Sequence, residues 1–225
     1  MSSLFRRSLT ALLGGLALFT LQACDSAGAM PALPDAVVDA ALTPHATPQT
    51  AVLAGGCFWG MEEVFQHVKG VTAVEAGYSG GTADTAHYET VSGGNTGHAE
   101  SVKITYDPSR ITYGQLLKVY FSVAHNPTEL NYQGPDHGIQ YRSSIFIANP
   151  EQRHIAHAYI KQLQAAHVFA RPIVTTLAPL QAFYPAEAYH QNYAMRHPHD
   201  LYIMIYDLPK LTALRQQFPG LYAGS

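Results

Sequence analysis

Between residues 50 and 180 the chain switches repeatedly between two hydrophobic periods, and each switch predicts an element. "TAVLAGG" (50–56) is a short apolar run closed by glycines, which predicts a central strand. From Gly60 to Val68, the residues Met61, Val64, Phe65 and Val68 recur at helical spacing. "GVTAVEAGYSGG" (70–81) predicts a strand running into a glycine-rich turn. "AESVKITYD" (99–107) alternates, with Val102, Ile104 and Tyr106 on one face and Ser101, Lys103 and Thr105 on the other. "ITYGQLLKVYFSVA" (111–124) predicts a helix and "SSIFIA" (143–148) a strand. A second long helix spans 149–166, with Asn149 as its cap, Pro150 in first position, and Glu151 and Gln152 filling the first turn. "IVTTLAPL" (173–180) is extended again.

The elements therefore run β-α-β-β-α-β-α-β. That order predicts an α+β fold, a two-layer α/β sandwich on a split βαβ (ferredoxin-like) core with long loops. No internal repeat and no second domain boundary interrupts residues 50–225, which form a single expected domain.

The N-terminus follows other rules. "MSSLFRRSLTALLGGLALFTLQAC" has Arg6 and Arg7, a short apolar run from Leu9 to Leu21, and then small residues. This predicts an export signal over 1–23, too short to span a membrane comfortably. "LQAC" resembles a bacterial lipobox, in which cleavage precedes Cys24 and its thiol takes a lipid. Residues 24–49, rich in Ala, Pro and small polar residues, read as a flexible tether, with a short helix over 35–42 as an alternative for part of it. Asp25 after the lipidated cysteine resembles an inner-membrane retention signal, so the expected location is the periplasmic side of a bacterial membrane. A formal net charge of −3 without a basic stripe excludes nucleic acid as a partner.

Cys57 is the only cysteine beyond the N-terminal region. In "GGCFWG" a strand ends at glycines and a helix begins within two or three residues. A cysteine there meets unpaired N–H groups and the positive end of the helix dipole, which favour a thiolate. Phe58 and Trp59 place two aromatic faces beside the sulfur, although the same three residues also fit a packed core. Extending the alternation of 99–107 backward puts Glu100 on the face of Val102 and Ile104, where a desolvated carboxyl group keeps its proton and can donate it. A solvated position at the strand's frayed start is the alternative. "NYQGPDHGIQYRSSIF" (131–146) is a turn-rich loop presenting Asp136, Gln140, Tyr141 and Arg142, and Tyr88 lies in another loop. Tyrosine hydroxyls can donate to an oxyanion, but with 14 tyrosines in the chain most serve packing.

"GCFWG", "GHAE", "DHGIQYRS" and "FYPAEAYHQNY" (183–193), in this order, resemble the A-type peptide methionine sulfoxide reductases over residues 50–210. The resemblance implies thiol-dependent reduction of the S epimer of methionine sulfoxide, free or in proteins. It implies Cys57 as the nucleophile on sulfur, Glu100 as the proton donor to the departing oxygen, and Tyr88 and Tyr141 as hydrogen-bond donors to that oxygen. Phe58 and Trp59 would hold the S-methyl group and Asp136 would orient the substrate backbone. Neither a metal nor an organic cofactor is implied. Tyr132 stands where the family commonly has Arg, and Ile139 where Thr is usual.

The C-terminal segment "DLPKLTALRQQFPGLYAGS" carries no cysteine, so a resolving thiol from that region is excluded. The expected reductant is an external thioredoxin-like protein or small thiol, acting on a monomer anchored only through its lipid. A thiol peroxidase, a cysteine hydrolase using one of the 12 histidines, and a non-catalytic lipid-anchored binding protein are the competing readings. His197-Pro-His199 lacks further ligands at recognisable positions for a metal.

Overall fold

The structure is a computed structural model that describes residues 33–44 and 47–224; the expected signal, Cys24 and Asp25 lie outside these residues. The central sheet opens with β1 (Gln49–Ala54), β2 (Val71–Ser79), β3 (Ala99–Tyr106) and β6 (Ser144–Ile147). Between them come α1 (Phe58–Gln66) and α3 (Tyr113–Val119), which continues as a wider helical turn over Tyr120–Ala124. The strands lie in the order β6-β1-β3-β2 with every pair antiparallel. This is the split βαβ arrangement expected from the sequence, since β3 inserts between β1 and β2.

Two further strands extend the sheet. β7 (Thr176–Pro179) joins β6 in parallel after the long crossover helix α4 (Pro150–Ala165), and β8 (Tyr184–Pro185) pairs with the far edge of β2. Asn149 caps α4 by accepting from the Gln152 N–H at 2.8 Å, and Thr112 and Gln115 form a reciprocal capping box on α3.

The helices cover one face of the sheet. Their apolar stripes, including Met61, Phe65, Leu117 and Tyr159, bury against Leu53 and Ile104 in one continuous core. A smaller cluster of Val52, Ala54, Ala99 and Phe146 lies under Leu180 and Phe183 on the other face. Burial along β3 follows its expected alternation from Val102 onward, with Val102, Ile104 and Tyr106 buried and Lys103 and Thr105 partly exposed. Ser101, expected on the polar face, is instead fully buried, its hydroxyl donating to the Ala99 carbonyl. Shorter elements complete the site's surroundings: α2 (Tyr88–Val91), the hairpin β4 (Tyr132–Gln133) and β5 (Asp136–His137), α5 (Tyr193–Arg196), and α6 (Leu208–Gln217) after a wide turn over Ile203–Asp207.

Residues 33–44 fall within the expected tether, yet they form no helix and lie against the domain. Leu33 is buried, and the Pro34 carbonyl accepts from the Tyr159 hydroxyl at 2.8 Å. Asp35 pairs with Lys118 at 2.7 Å. The Asp39 carboxylate accepts from the Gly114 N–H at 2.7 Å and from the Thr112 hydroxyl. Composition disguised this docking, because it combines a few small apolar contacts, from Leu33, Ala36, Val38 and Ala40, with single polar groups that meet α3 and α4. Among the described residues, no helix is long and apolar enough to cross a membrane.

Candidate active site

The glycines before Cys57 answer to crowding. Gly56 has φ +92°, and a Cβ on it would stand 2.7 Å from the Gln133 side chain; at Gly55 a Cβ would meet His125 at 2.8 Å. The chain turns there from β1 into α1 and leaves Cys57 as the helix N-cap, with its carbonyl accepting from the Met61 N–H.

Glu100 comes from the neighbouring strand. It is the second residue of β3, only 3% exposed, and its Oε2 accepts from the Phe58 N–H at 3.0 Å. Burial pushes its pKa up to about 8; the Phe58 N–H opposes this, while the charges of Asp136 and Asp207 add to it. The carboxyl group is therefore protonated at neutral pH. It holds the desolvated position that the strand's alternation implied, not a solvated one.

Cys57 departs from its expectation. The helix N-terminus was expected to favour a thiolate, but burial pushes the thiol well above its ordinary value, and the charges of Glu100 and Asp207 push the same way. The Trp59 N–H and Lys210 pull in the opposite direction without reversing the result. Two causes lay beyond local sequence: the sulfur is enclosed, and Glu100 claims the first free N–H of α1. The resting residue is a thiol.

Phe58 is fully enclosed, its ring 5.8 Å from Tyr78 and 5.0 Å from His190. Trp59 is half-buried, stacked on Tyr193 at 3.8 Å, and donates its Nε1–H to His190 Nδ1 at 3.2 Å. Tyr88 opens α2, where its N–H donates to Glu187 Oε1 at 2.9 Å. Tyr141 closes a helical turn over Ile139–Tyr141. Arg142 clamps that turn to the start of β3 by donating to the carbonyls of Gly97, His98 and Ile139 at 2.9–3.0 Å. Burial raises the pKa of both tyrosines, so each hydroxyl remains a neutral donor. Asp136 accepts from the Tyr202 hydroxyl.

Cys57, Phe58, Trp59, Tyr88, Glu100, Asp136 and Tyr141 all border one cavity of about 200 Å³, and Tyr202 completes its lining. The volume suits the end of one side chain rather than a drug-sized ligand, for which roughly 300–1,000 Å³ is usual. Sequence reasoning missed Tyr202, and nothing but its position after folding separates it from the other tyrosines. It also gave no role to Glu187 and His190 within "FYPAEAYHQNY"; Glu187 ties the Tyr78 hydroxyl to the Tyr88 backbone, and His190 holds Trp59. His197 and His199 are exposed, and among the described residues no three His, Cys, Asp or Glu side chains are grouped to hold a metal ion.

A thiol, a protonated carboxyl group, neutral hydroxyl donors and an aromatic wall in one small cavity define a cysteine-based oxidoreductase site. Comparison with known proteins gives the class its family. Residues 49–220 match the family model of peptide methionine sulfoxide reductase. Peptide methionine sulfoxide reductase MsrA 2 of Mesorhizobium japonicum is 60% identical over 78% of this chain and 90% of its own length. Its namesake from Synechocystis is 52% identical over 83% and 88%. Among solved structures, methionine sulfoxide reductase A of Corynebacterium diphtheriae covers 75% of this chain and 85% of its own, at 33% identity and TM-score 0.58. Reduced Mxr1 from Saccharomyces cerevisiae covers 72% and 92%, at 30% identity and TM-score 0.61. The chain belongs to the peptide methionine sulfoxide reductase family, in its MsrA branch, and is an oxidoreductase.

Proposed function

We propose that this enzyme reduces the S epimer of methionine sulfoxide, free and in exported proteins, through a sulfenic acid on Cys57. The observation that carries the reading is the convergence of Cys57 and the protonated Glu100 on one cavity walled by Phe58 and Trp59. The S-methyl group packs on the two aromatic rings, which turns the sulfoxide oxygen toward Glu100 and the hydroxyls of Tyr88 and Tyr141. Asp136 and Tyr202 meet the substrate's polar backbone at the cavity's other side.

The Cys57 sulfur attacks the sulfoxide sulfur while Glu100 gives its proton to the oxygen. An S–S bond forms as the thiol proton restores Glu100; the S–S bond and the substrate's S–O bond then break as the hydroxyl passes to Cys57, which releases methionine. The net exchange turns sulfoxide and thiol into methionine and sulfenic acid, so the substrate sulfur gains the two electrons that Cys57 loses. With the methyl slot and the proton donor on fixed sides of the sulfur, only one epimer presents its oxygen to the acid.

A dithiol then clears the sulfenic acid: its first thiolate displaces water, and its second frees Cys57 and leaves the dithiol oxidised. Cys24 is the only other cysteine, and the C-terminal segment has none. The reductant in this reading is an external thioredoxin-like protein. The signal-like N-terminus and lipobox-like "LQAC" support a lipid anchor on the periplasmic side, and Asp25 supports the inner membrane.

The test is methionine release from separated S and R epimers with dithiothreitol as reductant. Turnover of the S epimer alone, abolished in Cys57→Ala, is the expected result. Equal use of both epimers contradicts the fixed geometry.

A further inference from the structure

Trp59, Glu62 and Gln66 share one face of α1, spaced three and four residues apart. The last two meet a single residue of a distant segment. Glu62 is 1% exposed, and its Oε2 accepts from the Asn192 N–H at 2.8 Å. Gln66 Nε2 donates to Asn192 Oδ1 at 2.6 Å. Asn192 has φ +54°, a left-handed conformation in which asparagine is favoured over most other residues. Its side chain makes no cap bond to α5, which it precedes, because α1 holds it.

The next residue is Tyr193, whose ring stacks on Trp59 at 3.8 Å and 11°. A helix of four residues does not fix its own orientation, so the grip on Asn192 sets where Tyr193 lies against the indole. Two residues of one segment therefore hold Trp59, His190 by its Nε1–H and Tyr193 by its face. The other oxygen of Glu62, Oε1, is buried without a hydrogen-bond partner among the described residues. A buried carboxyl group left half-satisfied is costly, so fold stability alone does not account for it.

We propose that Glu62 is a positioning residue for Trp59: through Asn192 it holds Tyr193 on the indole, and so fixes one wall of the slot that takes the S-methyl group. The inference rests on the reading of Trp59 as that wall. Glu62 does not border the cavity itself and acts only through this chain of contacts. Burial pushes its pKa up to about 7. A carboxyl group keeps an acceptor oxygen on either side of that value, so the hold does not depend on its charge.

Trp59 is the chain's only tryptophan, so its fluorescence reports its own surroundings without substrate. The experiment compares emission, acrylamide quenching and kinetics on the S epimer with dithiothreitol, in Glu62→Met, Glu62→Gln and Gln66→Ala of the full chain. Glu62→Met keeps the volume and removes the acceptor. It is expected to shift emission to longer wavelength, raise quenching, and lower kcat/KM by about tenfold, chiefly through KM, as a loosened apolar slot does. Glu62→Gln retains an acceptor for Asn192 and should keep wild-type emission and KM. Gln66→Ala should move both readouts the same way by less, and it decides the question if Glu62→Met fails to fold. Wild-type emission and KM in the folded variants overturn the proposal. So does an equal change in Glu62→Gln and Glu62→Met, which marks packing rather than the bond to Asn192. Shifted emission with an unchanged KM overturns the link to the substrate. Trp59→Ala tells the two failures apart, since an unchanged KM there overturns the methyl-slot reading itself.

Discussion

The backbone N–H of Phe58 donates to Oε2 of Glu100 at 3.0 Å, so the residue that follows Cys57 holds the acid. One helix-terminal N–H is a modest stabiliser of a carboxylate, and burial outweighs it. Local backbone geometry thus ties the Cys57 thiol and the Glu100 carboxyl group to the same helix start, although they come from different strands' ends.

Replacing that acid should cost the share usual for general-acid catalysis. Glu100→Gln keeps the shape and can still accept from Phe58, so the reductive step should slow by about 10²–10⁴-fold with little change in folding. Single-turnover rates at neutral pH check this, and a wild-type rate would remove Glu100 from its role.

The pH dependence has a defined sign. Glu100 is an acid below about 8 and a carboxylate above it. The rate advantage of wild type over Glu100→Gln should therefore shrink as pH rises through about 8. Stability moves with it: a folded pKa raised above the ordinary 4.5 contributes stability below 4.5, which is lost as pH rises to about 8. Melting temperatures should fall across that window, less steeply in Glu100→Gln. Some slope should persist in the variant, since burial also raises Glu62, to about 7.

Trp59 should matter through the methyl group. Trp59→Phe retains an aromatic face but loses the donation to His190, whereas Trp59→Ala opens the methyl slot. The alanine variant should lose about tenfold or more in kcat/KM, the scale of a lost apolar contact in a fitted pocket, with alkylation of Cys57 largely retained. Its stack on Tyr193 predicts some loss of thermal stability as well. Loss of alkylation together with turnover would point to collapse of the α1 start instead.

The docked N-terminal segment gives a prediction far from the chemistry. Asp39 satisfies the Gly114 N–H and the Thr112 hydroxyl at the start of α3, so Asp39→Ala should cost about 1–2 kcal/mol. Denaturant titration measures the loss, and kcat should not change.

Most of the central sheet was legible because its strands and helices bury one face each. Val102, Ile104 and Tyr106 announce β3, and their phase carries Glu100 into the core. Asn149 and Pro150 likewise announce α4. Residues 183–217 were not legible in the same way. Their short elements have narrow buried faces, with Leu214 the single buried residue of α6, so no period stands out. Tyr202 and Asp207 matter through what they meet after folding, Asp136 and Gly60, and no local pattern encodes such meetings. The thiolate expectation erred for the same reason, since a helix N-terminus predicts its own field but not the burial and carboxyl groups gathered around it.

The most direct measurement is a single turnover without reductant, on the S epimer of a methionine sulfoxide substrate, with methionine and the state of Cys57 read together. One methionine is expected per Cys57, with one oxygen gained on that residue by mass and captured by a sulfenate-trapping reagent. Methionine release beyond one equivalent without reductant, or a burst that leaves Cys57 unoxidised, would contradict it.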